Sequence, residues 1–486
     1  MINHSTVIKL KSNLLSYIVL LIFIILCSFF PASAFVMLLS IIFFIVALNS
    51  LHKALFLLLA THPITRDGLV ITIGIIDFHL IYIFQLILIT IWFLNRKAKP
   101  TSNQASEIKF FFRVIIISLL AAAISTIHGG ISTAGIREII KYSLDIITAL
   151  IVYKIVSNDI EIGINILQKW IKIIAFFAVL SFLMSLVFVE PFPSYRIKYE
   201  NFKEEIEYYQ PQPFKYITFT ELGVEEYNRL EIGFGAPYGS FPCVLMAALL
   251  IALGPMVVKN RKNYFLKSKL NVSIIIIFIA LILTYTRSAW VGLIIGIISL
   301  FMFSKSKTKV LKLIMPVLII LVILKPSTLT QRLIQIDPES KEGSVVSHLR
   351  TFQTAEDAIY SNPILGVGYA NLPSTGDMAA VARGRGVVHS AVLQLWAELG
   401  TVGLILFLFI PGYLFYIIKR NANKNTQQFP IVINIGIISS LIAIVFQSIF
   451  IPGLDVIFWI LLGFSVAFNT QLLEASTTQK TVQTII

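Results

Sequence analysis

Residues 381–417 read VARGRGVVHSAVLQLWAELGTVGLILFLFIPGYLFYI. From Ala391 to Ile417 the run is almost wholly apolar, with Glu398 its one charged residue. That exceeds the roughly 20 residues that cross the hydrocarbon of a bilayer as a helix. The stretch is therefore a membrane span. It is entered from a glycine-rich mouth that carries Arg383 and Arg385, with His389 at the junction.

The rest of the chain has the same character. Its 486 residues are 57% hydrophobic and only 13% charged, and the mean hydropathy is +0.85. Soluble domains carry about a quarter charged residues, so this composition is that of a polytopic membrane protein. The formal charge of +14 does not imply nucleic acid. In so apolar a chain Lys and Arg mark cytoplasmic loops and attract anionic lipid headgroups. Cys27 and Cys243 lie in apolar runs with no metal-ligand spacing and read as small hydrophobes. PASA at 31–34 mimics a cleavage site, but the apolar run before it is long and a second follows, so an uncleaved first span is expected.

Span-length runs fall at 13–30, 34–50, 69–94, 109–126, 139–157, 170–189, 236–258, 271–286, 288–304, 310–325, 391–417, 430–449 and 455–470. The stretch 51–62 is short and reads as a further crossing or a re-entrant segment. The expectation is one integral membrane domain over 1–486, an all-α polytopic protein of about 12–14 transmembrane helices. Basic clusters at 96–99, 259–269, 305–309 and 419–424 read as cytoplasmic. Parity between them puts two long loops outside, 190–235 and 326–390, where function concentrates. The larger loop contains a helix over 344–363. Leu349, Phe352, Ala355 and Ile359 share one face of it, Ser344 or Ser347 can cap it, and Pro363 stops it. ILGVGYANL at 364–372 then supplies a turn that lets backbone approach backbone or ligand.

Several side chains here can carry chemistry, and each also has a plain structural reading. His389 is a structural hydrogen-bonder or a base that titrates near neutral pH at the outer face. With no second ligand at suitable spacing, neither a metal nor another cofactor is expected. Arg383 and Arg385 make a solvated turn or a guanidinium fork for phosphate. Arg287, in LTYTRSAWVGL (283–293), lies between two spans with a very short turn. An arginine there is functional unless it snorkels. Arg229 sits at a Gly/Pro-rich span entry. Arg350 on the loop helix is a solvated residue or a partner for Glu356 or Asp357. Glu398 is expected to face the bundle interior, and Asp77 and His79 to act as polar glue. No nucleotide-binding motif is present.

At LTYTRSAWVGL, NPILGVGY and VVHSAVLQLWAELGTVGLILFL the chain resembles the O-antigen ligase and O-antigen polymerase superfamily of bacterial membrane glycosyltransferases. That pattern has Thr-x-Ser-Arg before a small residue, then His-Asn, Leu-Gln, Glu-Leu-Gly and Gly-Leu. Here the first becomes Thr284-Tyr285-Thr286-Arg287, and Ser390 stands where Asn usually follows the histidine. Motif coverage runs from about 228 to 410. The resemblance implies a polyprenyl-diphosphate-linked oligosaccharide donor, a glycan acceptor, and metal-independent transfer with inversion in the cytoplasmic membrane. By that analogy His389 is the general base. Arg287 and Arg229 hold the diphosphate, supported by Arg350, Arg383 and Arg385. Ile- and Lys-rich usage favours a polymerase of capsule, exopolysaccharide or teichuronic-acid type over a ligase acting on lipid A core. A transporter or lipid flippase is the rival from another class.

Overall fold

A computed structural model describes residues 31–65, 69–73, 76–95, 106–187, 194–200, 203–209, 215–220, 223–228, 240–257, 270–284, 286–303, 344–372, 390–422, 429–449 and 456–485. The expected spans at 13–30 and 310–325 lie outside them. The others become helices close to their expected places: α1 (Pro31–Asn49), α2 (Leu51–Thr65), α3 (Leu80–Leu94), α4 (Ser106–His128), α5 (Thr133–Asn158), α6 (Ile160–Val187), α7 (Ser240–Val257), α8 (Leu270–Leu283), α9 (Arg287–Phe303), α10 (Ser344–Ser361), α11 (Ala391–Ala422), α12 (Phe429–Gln447) and α13 (Val456–Ile485). The segments Ile160–Leu183 and Ala391–Ile410 are long and apolar enough to cross a membrane, and shorter apolar helices accompany them. The protein is an all-α membrane protein whose connections carry short strands.

One expected span is shorter than its apolar run. Leu69–Ile73 and Ile76–His79 are strands β1 and β2, and the helix starts only at Leu80. VITIGIIDF is β-branched and interrupted by Gly74, which favours an extended pair over a helix. Asp77 and His79 thus stand on a strand and not within a span; His79 is the residue that precedes α3. The stretch 51–62 is fully helical within α2.

The chain divides into two compact units, one of 1–96 with 184–237 and one of 97–183 with 238–486. In the first, α1 and α3 meet through Phe43 and Phe84, stacked at 4.2 Å. The strands β1 and β2 pair with β3 (Ser194–Glu200) and β4 (Lys203–Tyr209) in the order β2-β1-β3-β4, and β5 (Lys215–Thr220) pairs with β6 (Gly223–Asn228).

In the second unit α12 packs on α7 and α9 through small residues. Gly254 lies against Gly436, and Gly292 and Gly296 lie against Ala443. The Ser440 hydroxyl donates to Ala247 O at 3.0 Å, and Ser439 donates to Ser299 at 3.2 Å. Close backbone approach and interhelical hydroxyl bonds are what holds helices together where lipid removes the hydrophobic drive between them. Similarly, α13 lies on α5, with Gly463 against Ala149 and Val152.

Candidate functional site

The span quoted at the outset is not continuous. Gly400 has φ 67° and ψ −174°, which splits α11 into a half-helix 391–399 and a longer one from Thr401. A break strips carbonyls on one side and N–H groups on the other of their helical partners. The segment 363–368 supplies replacements. Val367 N–H donates to Ala397 O (2.9 Å) and Gly368 N–H to Glu398 O (3.0 Å). On the far side Thr401 N–H donates to Pro363 O (2.8 Å) and Val402 N–H to Ile364 O (3.4 Å). The Thr401 hydroxyl also donates to Pro363 O, and the Trp396 indole N–H donates to Thr401 Oγ1. From α4 the Ser125 hydroxyl reaches Glu398 O at 2.6 Å.

Glycine is required where these strands of backbone meet. Gly366 (φ 74°) lies against the Glu398 carbonyl and Gly400 against the Ile364 carbonyl, so a Cβ on either would overlap backbone. Ala370 is left-handed too, at φ 57°, with no glycine to ease it. Beyond it Asn371 clamps the α4–α5 turn. Its amide donates to Gly129 O (3.2 Å) and Gly130 O (2.8 Å), and its Oδ1 accepts from the Ser132 hydroxyl (2.5 Å).

The face expected for α10 is the one buried. Ala355 and Ala358 pack with Val367, Leu372 and Ala397, flanked by Phe352, Ile359 and Leu393. Leu349, the fourth residue of that expected face, has a side chain outside the described residues. The helix ends at Ser361, ahead of Pro363, as proline dictates for the residue before it.

Glu398 is fully buried, as the cost of a lipid-facing carboxylate requires. Its Oε1 accepts from Gln394 Nε2 at 3.0 Å, and the backbone N–H of Ala370 also bonds to the carboxylate. Next to it, burial pushes the Tyr369 phenol well above its ordinary value, and the charges of Glu138 and Glu398 add to the effect. Tyr369 therefore stays a neutral donor at physiological pH. It meets Tyr142 edge-on at 6.4 Å, and Tyr142 meets Trp459 at 5.2 Å.

Two helix starts converge on the C-terminal end of α12. Ser390 caps α11: its hydroxyl accepts from Leu393 N–H at 3.3 Å, and the next N–H, of Ala391, donates to Ser448 O at 2.8 Å. Thr286 begins α9 in a similar way, its carbonyl accepting from Ala289 N–H (3.1 Å) and Trp290 N–H (3.2 Å). Five residues into α9 from Arg287, Gly292 lies against Gln447. Ser390 and Gly292 thus both lie against the Gln447–Ser448 end of α12.

Residues 272–408 match the sequence profile of the family described as O-antigen ligase. The chain carries an O-antigen ligase domain. The match supports a function of the O-antigen ligase or polymerase type in general. No curated protein matches the chain.

The O-antigen ligase domain runs from α8 through the Gly400 break, and takes in the positions of Arg287, Arg350, Arg383, Arg385 and His389. Arg229 precedes it. His389, Arg229, Arg383 and Arg385 lie outside the described residues. Arg287 is the first residue of α9 and Arg350 lies within α10, and their side chains too are outside what is described. Sequence reading missed Ser125, Ser132 and Asn371 altogether. A Gly-Gly pair such as Gly129-Gly130 is a turn signal, but nothing local says which distant segment it receives.

Proposed function

We propose that the chain is a membrane glycosyltransferase that joins a polyprenyl-diphosphate-linked glycan to a sugar hydroxyl on the outer face of the cytoplasmic membrane. Its work is to polymerise surface-polysaccharide repeat units. The observation that carries this reading is the O-antigen ligase match over 272–408, which encloses His389 and Arg287. The convergence of both helix starts on the C-terminal end of α12 supports it.

In the proposed mechanism the His389 imidazole takes the proton of the acceptor hydroxyl. The oxygen attacks the donor's anomeric carbon from the face opposite the diphosphate, so the configuration inverts. A positioned base of this kind contributes roughly 10²–10⁴-fold. Arg287 and Arg229 hold the diphosphate and stabilise the charge that develops as it leaves, and Arg350, Arg383 and Arg385 support them. The diphosphate departs on its own lipid, so neither metal nor nucleotide enters the reaction.

A transporter of inverted repeats would carry its broken helices in pairs. Among the described residues the one helix broken by non-helical backbone is α11. The family description itself favours the second reading, ligation to a separate acceptor. One assay separates the possibilities. Purified protein in lipid is given a lipid-linked repeat unit alone, then with a second glycan acceptor. Chain growth on the first substrate alone means polymerase, and product only with the second means ligase. No product with either would sink the transferase reading.

A further inference from the structure

A loop counted as extracytoplasmic by its sequence holds one turn with the wrong surface for water. Ile364 is 65% exposed and Pro363 is exposed beside it. Yet this turn is fixed in place by its backbone: Pro363 O accepts from Thr401 N–H, and Ile364 O from Val402 N–H. It therefore lies directly against the exposed apolar face of α11, formed by Val402, Ile405, Leu408 and Phe409. That face lies on the longer part of α11, from Thr401 onward, which stays apolar through Ile417. Its natural solvent is acyl chain, and the turn continues it without a step.

The approach to the turn is graded. Glu356, Tyr360 and Ile364 follow one another four residues apart, and all three are exposed, Tyr360 at 77%. Acid, aromatic and aliphatic in that order are what water, headgroup region and hydrocarbon select. Trp396 stands near the same level, its indole N–H held by Thr401, which suits the aromatic belt of an interface.

Depth agrees from two directions. Between Gly400 and Lys419, in the basic cluster, α11 rises about 28 Å at 1.5 Å per residue, close to the roughly 30 Å of hydrocarbon. Ser125, bonded to Glu398, lies three residues before the end of α4 at His128. The break is thus at the outer edge of the hydrocarbon, and backbone irregularity is allowed there because segment 363–368 satisfies it.

We infer that the Pro363–Ile364 turn is seated among the acyl chains of the outer leaflet, so that the large outer loop is anchored in lipid beside the helix break. The occupant of this face is lipid hydrocarbon, not a protein partner. The inference rests on the membrane fold and the geometry of the turn, and holds whether or not the transferase chemistry does.

Nitroxide accessibility tests it. In full-length protein lacking Cys27 and Cys243, reconstituted in phospholipid nanodiscs, a spin label is placed at Glu356→Cys, Tyr360→Cys, Ile364→Cys or Ile405→Cys. The stitching groups at 363–364 are backbone, so the substitutions leave them in place, and Pro363→Cys serves as a second reporter of the turn. Collision with oxygen, which favours lipid, is compared with collision with a water-soluble nickel chelate. The ratio at 364 and 363 is expected to match 405 and to exceed that at 356 several-fold, with 360 between. A ratio at both 363 and 364 equal to that at 356 overturns the inference, and lipid-linked glycan transfer is not needed to read it.

Discussion

The Gly368 N–H donates to the carbonyl of Glu398 over 3.0 Å, tying the segment after α10 to the last turn of a half-helix. Ser125, 273 residues earlier in the chain, donates to the same carbonyl. A carbonyl freed by a helix break at membrane depth would cost several kcal/mol if left bare. Here it has two donors, and the break becomes a fixed joint between three segments. The glycines are what permit it. Replacing Gly400 or Gly366 by Ala puts a Cβ into a backbone carbonyl and an L residue at positive φ. The expected loss is on the order of 2–5 kcal/mol for each. Thermal unfolding in detergent should show a clear drop for both, whereas Gly130→Ala, which has open space, should bear only its backbone strain.

Glu398 offers a finer test, because its carboxylate and its carbonyl do different work. The carboxylate accepts from Gln394 within the helix and from the Ala370 N–H, while the carbonyl accepts from Gly368 and Ser125. Glu398→Gln keeps an oxygen for the Gln394 amide and the same volume, so stability should remain within about 1 kcal/mol of the parent. Glu398→Ala leaves that amide buried without its acceptor and opens a void, for a loss of about 2–4 kcal/mol. The ordering, Gln close to parent and Ala well below, is read from unfolding midpoints. Equal loss in both would mean that the charge itself is required.

Legibility in the sequence followed the range of the interaction that decided each feature. Apolar length is local, so nearly every described helix stands where the composition places it. Periodicity is local as well, and Phe352, Ala355 and Ile359 do share the packed face of α10. The break at Gly400 is different. Hydropathy runs high from Ala391 to Ile417, no proline lies between Ala391 and Gly400, and a lone glycine in a helix is ambiguous. What bends the chain there is segment 363–368, over thirty residues upstream, and sequence gives no register for such a pairing. The strands at Leu69–His79 were hidden for another reason. A short β-branched run adjoining an apolar helix reads as one long span by hydropathy alone.

Asn371 shows how far chemistry fixes identity at such a joint. Its amide nitrogen faces three carbonyls, Gly129 O, Gly130 O and Val367 O, and its oxygen faces the Ser132 hydroxyl. Asn371→Asp preserves shape and the acceptor but sets an oxygen against all three carbonyls. It should destabilise at least as much as Asn371→Ala, by roughly 1–3 kcal/mol. Proteolysis of the outer loop provides a local readout, with faster cleavage expected for both variants. A milder effect for Asp would mean that the turn moves to let its amide N–H groups face the carboxylate.

For the proposed chemistry, the decisive comparison is His389→Ala with Arg287→Lys. The backbone beside position 389 is held by the Ser390 cap and by Ser448, neither of which uses the imidazole. His389→Ala should therefore fold as the parent does and lose roughly 10²–10⁴-fold in transfer rate, with donor binding little changed. Arg287→Lys keeps the positive charge at the start of α9 but loses the planar fork that grips two oxygens at once. It should weaken donor use severely, and a point charge should not restore it. The two losses differ in kind: the first falls on turnover, the second on turnover and donor KM together. Steady-state transfer with a lipid-linked repeat unit, measured beside unfolding midpoints, separates them. Normal turnover in folded His389→Ala would remove the general base, and normal donor use by Arg287→Lys would remove the diphosphate clamp.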